Sequence, residues 1–412
     1  MLLPEAGQPA ILNEPSELYL LEAVGLMTSQ ALKEPGTTAA PQLLIDMVGM
    51  VVKQIGALLC HPQRVQYSKE VGNSVAHKVA SLGSLARGHR PPALGEAGVA
   101  AQVFIQAGEA VASVMDDAVV ATHALVRPKC MMFLHRVVPI LGAHVLPIAG
   151  RCLATYLASA TTVDVDESIT VLNQLVEQFS TGAMDVVDVF LGPIVDKLGA
   201  LYASAGADGA TETQVASDRF NMQKQCISFI QHVTASPCIG VLVSPRNAAR
   251  LPSVLDTIMN ALSGGGNGSC IASVPLRRSG LATLVSLTKA WGPAATSPAA
   301  GAVDPAVKAT LTKVVLEQAL PSILTFCLTE SNARDALTLS LYADVGSLFF
   351  TVGTYHGNAS FIAYLGGTML PALSWPPEAI ATLMTNQYAV DQGCNLSDFR
   401  EKFKSMLKTF RR

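Results

Sequence analysis

Apolar residues recur along this chain with the period of an α-helix. In DESITVLNQLVEQFS, Ile169, Leu172, Leu175, Val176 and Phe179 line one face. Phe220, Ile227, Ile230 and Val233 do so in FNMQKQCISFIQHV, and Leu341, Val345, Leu348, Phe349 and Val352 in LYADVGSLFFTV. Alternating apolar and polar runs joined by hairpin signals are missing, so the pattern predicts an all-α fold. The run FLHRVVPILGAHVLPIAG (133–150) carries Pro139 and Pro147. Proline is poorly tolerated past a helix's first turn, so the two mark a boundary between successive helices.

The same device recurs. Pro147, Pro193, Pro252, Pro321 and Pro371 each follow a leucine or glycine at the head of an apolar stretch, and they lie 46, 59, 69 and 50 residues apart. A proline in a first turn costs little, because its missing N–H would be unpaired there anyway. The two wide gaps hold low-complexity inserts, leaving an underlying period of about 45 residues, as in HEAT-type helix pairs. The expected fold is therefore an all-α, HEAT-repeat-like α-solenoid, a stack of about eight or nine antiparallel helix pairs spanning 1–412. Flexible inserts are expected near 85–98, 203–216, 263–269 and 292–305. A single irregular helical domain is the alternative.

Composition narrows the function. The chain is 50% hydrophobic, 14% charged and 6% aromatic, with a net charge of −3 and a pI near 6.2. It is not basic as a whole, so any nucleic-acid contact must rest on local patches. IDMVGMVVKQIGALLC is interrupted by Lys53 and FLHRVVPILGAHVLPIAG by its prolines, so no membrane span or insertion is expected. The start has no signal-peptide pattern. Eight scattered cysteines without C-x-x-C suit buried free thiols. No histidine falls in a metal-binding pattern, and SGGGNGS lacks the Lys-Ser/Thr of a phosphate loop. The adjacent Asp116 and Asp117 point different ways on a helix. Catalytic residues, metal and cofactors are therefore expected to be none.

The tail NLSDFREKFKSMLKTFRR is different. Asn395 is placed to cap a helix, with Asp398 three residues on. Phe399, Phe403, Met406, Leu407 and Phe410 form one stripe. Arg400, Lys404, Lys408, Arg411 and Arg412 lie opposite, with Lys402 beside it. Three readings compete: a capping helix with a solvated basic back, a phosphate-contacting face, and membrane-surface binding. Smaller basic groups stand at Arg87/His89/Arg90, Arg127/Lys129/Arg136, Arg246/Arg250 and Arg277/Arg278. Singly each is a solvated turn; in a curved stack they would form a positive track for RNA shape and phosphates. Few aromatic platforms exist for reading bases.

SELYLLEAVGLMTSQ, FLHRVVPILGAHVLPIAGRCLATYL, LPALSWPPEAIATLM and FREKFKSMLKTFRR, taken in order from about Ser16 to Arg412, resemble the tRNA exportins of the importin-β/karyopherin superfamily. Phe133, Leu134, His135 and Arg136 are the best anchor. The resemblance implies a non-enzymatic HEAT-repeat receptor that binds mature tRNA together with Ran-GTP. It also implies passage through the nuclear pore on Phe-Gly nucleoporins and shuttling between nucleus and cytoplasm. It covers the C-terminal portion of such receptors, as a truncated or a genuinely short form. The Ran-gripping N-terminal repeats have no counterpart here. The residues singled out for tRNA phosphates are Arg400, Lys404, Lys408, Arg411, Arg412, Arg246 and Arg250. A karyopherin or HEAT scaffold for protein cargo is the rival reading.

Overall fold

The computed structural model describes residues 13–34, 38–90, 98–158, 161–204, 212–263, 273–295 and 303–410. All regular structure among them is helical. The chain forms two compact units, 1–193 and 194–412.

The first unit holds α1 (Glu14–Ala31), α2 (Ala39–Leu59), α3 (Ser68–Leu85), α4 (Val99–Asp116), α5 (Val126–Leu141), α6 (Val145–Ala158) and α7 (Thr162–Phe179). Helices pack on their next-but-one neighbours: α1 on α3, α3 on α5 and α5 on α7 in one row, α2 on α4 and α4 on α6 in the other. That is the two-row stack of a helix-pair solenoid. Leu82, Val111, Phe133, Leu134, Ile148 and Leu172 are fully buried between the rows. The predicted break between α5 and α6 is a single 3₁₀ turn, Gly142–His144. It is opened by Gly142 at φ +56°, a backbone conformation that favours glycine. Pro147 lies in the first turn of α6, and Pro139 in the last turn of α5.

α8 (Met184–Ser204) crosses the boundary in sequence. The second unit continues with α9 (Glu212–Ala235), α10 (Leu251–Ser263), α11 (Val274–Trp291), α12 (Pro305–Thr329) and α13 (Ala336–His356). α14 runs from Asn358–Tyr364 through a π turn, Leu365–Met369, to Leu370–Ala372. α15 (Pro377–Asp391) and α16 (Leu396–Phe410) complete it. One row is α9, α11, α13 and α16 in succession; α10, α12, α14 and α15 form the other side. The sequence reading placed residues 212–216 in an insert, but they already belong to α9. Most of the remaining insert positions lie outside the described residues.

Three of the five repeat prolines do not start helices. Pro193 sits inside α8. Pro321 and Pro371 each follow a π turn, Val314–Ala319 in α12 and Leu365–Met369 in α14, within a continuing helix. A proline ring clashes with the carbonyl four residues back, and widening that turn relieves the clash. The widened turn leaves a carbonyl to satisfy. The i+5 partner of Leu316 is Pro321, which has no N–H, and the Tyr364 hydroxyl donates to the Leu316 carbonyl at 2.8 Å. This bond ties α14 to α12.

Another sequence expectation also changes. Ala39–Leu59, Val126–Ala158, Pro305–Thr329 and Ala336–His356 are each long and apolar enough, by length and composition, to cross a membrane. A single lysine or proline does not remove that character. Within the units these stretches are partly buried on neighbouring helices: Leu44, Val48 and Val51 of α2 are buried, while its Leu43 and Ile45 are exposed.

Several residues placed on the basic track are internal. Arg127 is buried, with Nη2 donating to the Tyr156 carbonyl at 2.6 Å and pairing with Asp164 at 3.3 Å. Arg277 donates to the Leu262 carbonyl and stacks 3.7 Å over Phe326. His89 is buried against Phe104, with Thr28 Oγ1 3.4 Å from Nε2. Burial pulls its pKa down to about 4. These groups cannot present charge to a ligand, because a buried cation must be matched by protein acceptors and His89 stays neutral. Arg87 pairs with Glu22 at the surface.

α16 behaves as predicted. The Asn395 side chain accepts from the Asp398 N–H at 2.9 Å, an N-cap. Phe399, Phe403, Met406 and Leu407 are buried, and Phe410 is half-buried. Phe403 packs at a tilt on Phe349 of α13 (4.9 Å between centroids) and Phe399 edge-on against Phe350 (5.6 Å). Gly346 lets α16 approach: a Cβ there would lie 3.1 Å from that of Phe403.

Two outcomes are expected. Phe403→Ala should cost about 3–5 kcal/mol in urea unfolding and release the α16 amides first in hydrogen exchange; an unchanged midpoint would contradict this packing. His89 has a folded pKa below its unfolded value of about 6.5, so the unfolded state binds the extra proton. Its contribution is full above pH 6.5 and is lost as pH falls toward 4. The thermal midpoint should therefore drop more steeply over that window in the wild type than in His89→Leu.

Candidate nucleic-acid interface

The row α9–α11–α13–α16 carries a surface cleft lined by Gln231 of α9, Arg278 and Lys289 of α11, Asp344 and Ser347 of α13, and Leu396 of α16. Helical spacing explains the lining. Arg278, Ala282, Val285 and Lys289 fall along one side of α11, while Leu281, Leu284 and Leu287 are buried on the other. Asp344 stands at the centre. Arg278 Nε donates to its Oδ2 at 2.6 Å, and Arg400 Nη2 donates to its Oδ1 at 3.3 Å. The three side chains are partly exposed, at 39%, 22% and 39% for Arg278, Asp344 and Arg400. Arg400 Nε is buried and without a hydrogen-bond partner.

The residues singled out from sequence fall into two separate groups. Arg400, Lys404 and Lys408 share α16. Lys404 is held by Glu401 at 2.6 Å, which lowers the Glu401 pKa, while Lys408 is exposed and forms no ion pair among the described residues. Arg411 and Arg412 lie outside the described residues. Arg246 and Arg250 precede α10, in the opposite row. Arg250 is gripped by Asp196, with Nε 3.0 Å from both carboxylate oxygens and Nη2 at 2.8 Å, and that bond raises its pKa. Its Nη1 donates to the Arg246 carbonyl at 3.1 Å.

The sequence reading missed the role of Asp344, which joins Arg278 to Arg400 across 122 residues of chain. It also missed a charge asymmetry that was legible. Residues 194–412 contain 17 Lys and Arg against 14 Asp and Glu, a net of +3. Residues 1–193 contain 11 against 17, a net of −6. The modest overall charge hides a basic second unit.

No group of three His, Cys, Asp or Glu able to hold a metal occurs among the described residues. Asp116 and Asp117 turn to different partners, Arg151 and Arg64. Burial pushes the thiols of Cys152 and Cys226 up to about 12, and raises those of Cys130 and Cys327. At neutral pH these thiols stay protonated and poor nucleophiles.

A family profile described as Exportin-T matches residues 6–411. Exportin-T of Aspergillus niger is 22% identical over 98% of this chain and 38% of its own length. Exportin-T of Dictyostelium discoideum is 22% identical over 69% of the chain and 25% of its own. Exportin-T of Oryza sativa subsp. japonica is also 22% identical, over 69% and 28%. The chain thus spans well under half the length of these relatives. Among solved structures, the crystal structure of SYS-1 superposes with a TM-score of 0.51 at 12% identity, over 97% of this chain and 70% of that one. That likeness supports the all-α, helical-solenoid fold class and carries nothing further. Phe133 and Leu134, the best anchor of the sequence resemblance, are core residues of α5.

Proposed function

The chain belongs to the exportin-T family, and we propose that it serves in a nuclear export receptor as a non-enzymatic, RNA-contacting part. The observation that carries this reading is the family match over residues 6–411, which includes the whole basic second unit. The cargo is mature tRNA, held by shape and phosphate contacts. Ran-GTP and Phe-Gly nucleoporins are partners of the whole receptor, which shuttles between nucleus and cytoplasm. Arg400, Lys404 and Lys408 on α16, with Arg411 and Arg412 beyond it, form the main phosphate-contacting group. Arg246 and Arg250 form a second, weaker one, since Asp196 already neutralises Arg250.

The mechanism follows from electrostatics. A folded tRNA presents closely spaced phosphates carrying condensed counterions. Cations that neutralise phosphates release those ions, giving affinity without base readout. Specificity then rests on which RNA shapes can touch several cations at once.

Folded tRNA and an unstructured RNA of equal length provide the test, in mobility shifts across a salt series. With about four phosphates neutralised, the log–log salt slope should be near −3, so a fourfold rise in salt weakens binding by about 60-fold. Lys404→Glu with Lys408→Glu should weaken tRNA binding by about tenfold or more at fixed salt, with an unchanged melting temperature. Equal affinity for the two RNAs would reject shape recognition. Capture of an acidic protein by this chain, with only non-specific RNA binding, would favour a protein-cargo scaffold.

A further inference from the structure

We propose that Arg278 and Arg400 form a seat for an RNA backbone phosphate, and that Asp344 occupies this seat in the unliganded protein. The inference rests on the RNA-binding reading above and names the site at which a phosphate is exchanged for an internal carboxylate.

The geometry is that of an anion held between two guanidinium groups from different helices. Asp344 Oδ2 receives Arg278 Nε at 2.6 Å and Oδ1 receives Arg400 Nη2 at 3.3 Å. A phosphate offers the same spread of acceptor oxygens with a larger reach, and guanidinium groups match it as they match a carboxylate. The carboxylate leaves donors over. Arg400 Nε has no partner. Around the pair, the cleft adds Lys289, which is exposed and forms no ion pair among the described residues. Gln231, Ser279 and Ser286 line the same cleft with amide and hydroxyl groups, while the Ser347 hydroxyl donates to the Ala343 carbonyl at 3.1 Å. Among the described residues, Asp344 is the only acidic side chain lining it. A cleft with that donor surplus and one central acid has the composition of an anion site filled by its own protein.

Leu396 and Arg400 place the first turn of α16 beside this cleft. Lys404 and Lys408 follow one and two turns on along the same helix, so the seat extends the cationic face of α16 toward α11. RNA tracking that face would reach Arg400 and then Arg278 once Asp344 releases them. In the free protein the acid keeps two neighbouring guanidinium groups from repelling each other and suppresses casual anion binding.

Asp344→Asn keeps the shape and removes the charge. In the full chain it should tighten tRNA binding about threefold to tenfold and steepen the log–log salt slope by about one, because displaced counterions replace a displaced carboxylate. Arg278→Ala should weaken binding in both the wild-type and Asp344→Asn backgrounds, and by the larger factor in Asp344→Asn, where no carboxylate competes for the guanidinium. Inorganic polyphosphate is the second probe and should show the same ordering. If Asp344→Asn melts early, Arg278→Ala alone decides, and unchanged tRNA affinity overturns the seat. Wild-type protein that binds tRNA while neither variant alters affinity or slope rejects the seat and leaves the RNA-carrier reading standing. Wild-type protein that ignores tRNA, yet shows the ordering on polyphosphate, rejects that reading and leaves the seat.

Discussion

The helices of the rows α1–α3–α5–α7 and α9–α11–α13–α16 bury their flanks on the next helix of the row, and the fold rests on that contact. A helix such as α13 is buried over most of its circumference: beyond the stripe of Leu341, Val345, Leu348, Phe349 and Val352, Tyr342 and Ala343 are buried too. It cannot bury that surface in a hairpin with one partner. It needs α11 on one side and α16 on the other. Stability is then shared between repeats. α16 contributes two buried phenylalanines against α13 and a basic, solvated back.

The phase of the apolar positions was legible from sequence because helix faces are set locally. The stripe of Phe399, Phe403, Met406 and Leu407 went inside as its spacing required. The prolines were read less well. Leucine-proline at the head of an apolar run describes a new helix in Leu251–Pro252, but a π turn within an old one in Leu320–Pro321 and Leu370–Pro371. At Leu320–Pro321 a neighbour takes the freed carbonyl. For Leu316 that neighbour is Tyr364, 48 residues away. No local pattern carries that information.

Charges were the least legible feature. Arg277 and Arg278 are adjacent, and a helix sets them about 100° apart. One is buried over Phe326 and the other reaches solvent and Asp344. Which of the two is available to a ligand depends on the rotation of α11 in its row. Similarly, Arg250 and Lys404 read as cations in sequence and are found beside Asp196 and Glu401. Glu401 sits three residues from Lys404 on the same helix, whereas packing brings Asp196, 54 residues away, to Arg250. The cations left over, Lys289, Lys402 and Lys408, stand on outward positions.

This distribution bears on what a carrier needs. A patch of uncompensated arginines would hold any polyanion tightly and release it slowly. On the RNA-carrier reading proposed above, partly exposed ion pairs of the Arg278–Asp344–Arg400 kind, worth only about 0.2–1 kcal/mol each, would let a phosphate displace the carboxylate at small cost and the carboxylate return as easily. No single contact then commits the cargo. Net affinity requires several such exchanges at once, together with the free lysines of α16. Only an RNA whose phosphates are spaced to reach them all gains the full sum. Compensated cations therefore support discrimination by shape and reversible release more effectively than a stronger bare charge on the same helices.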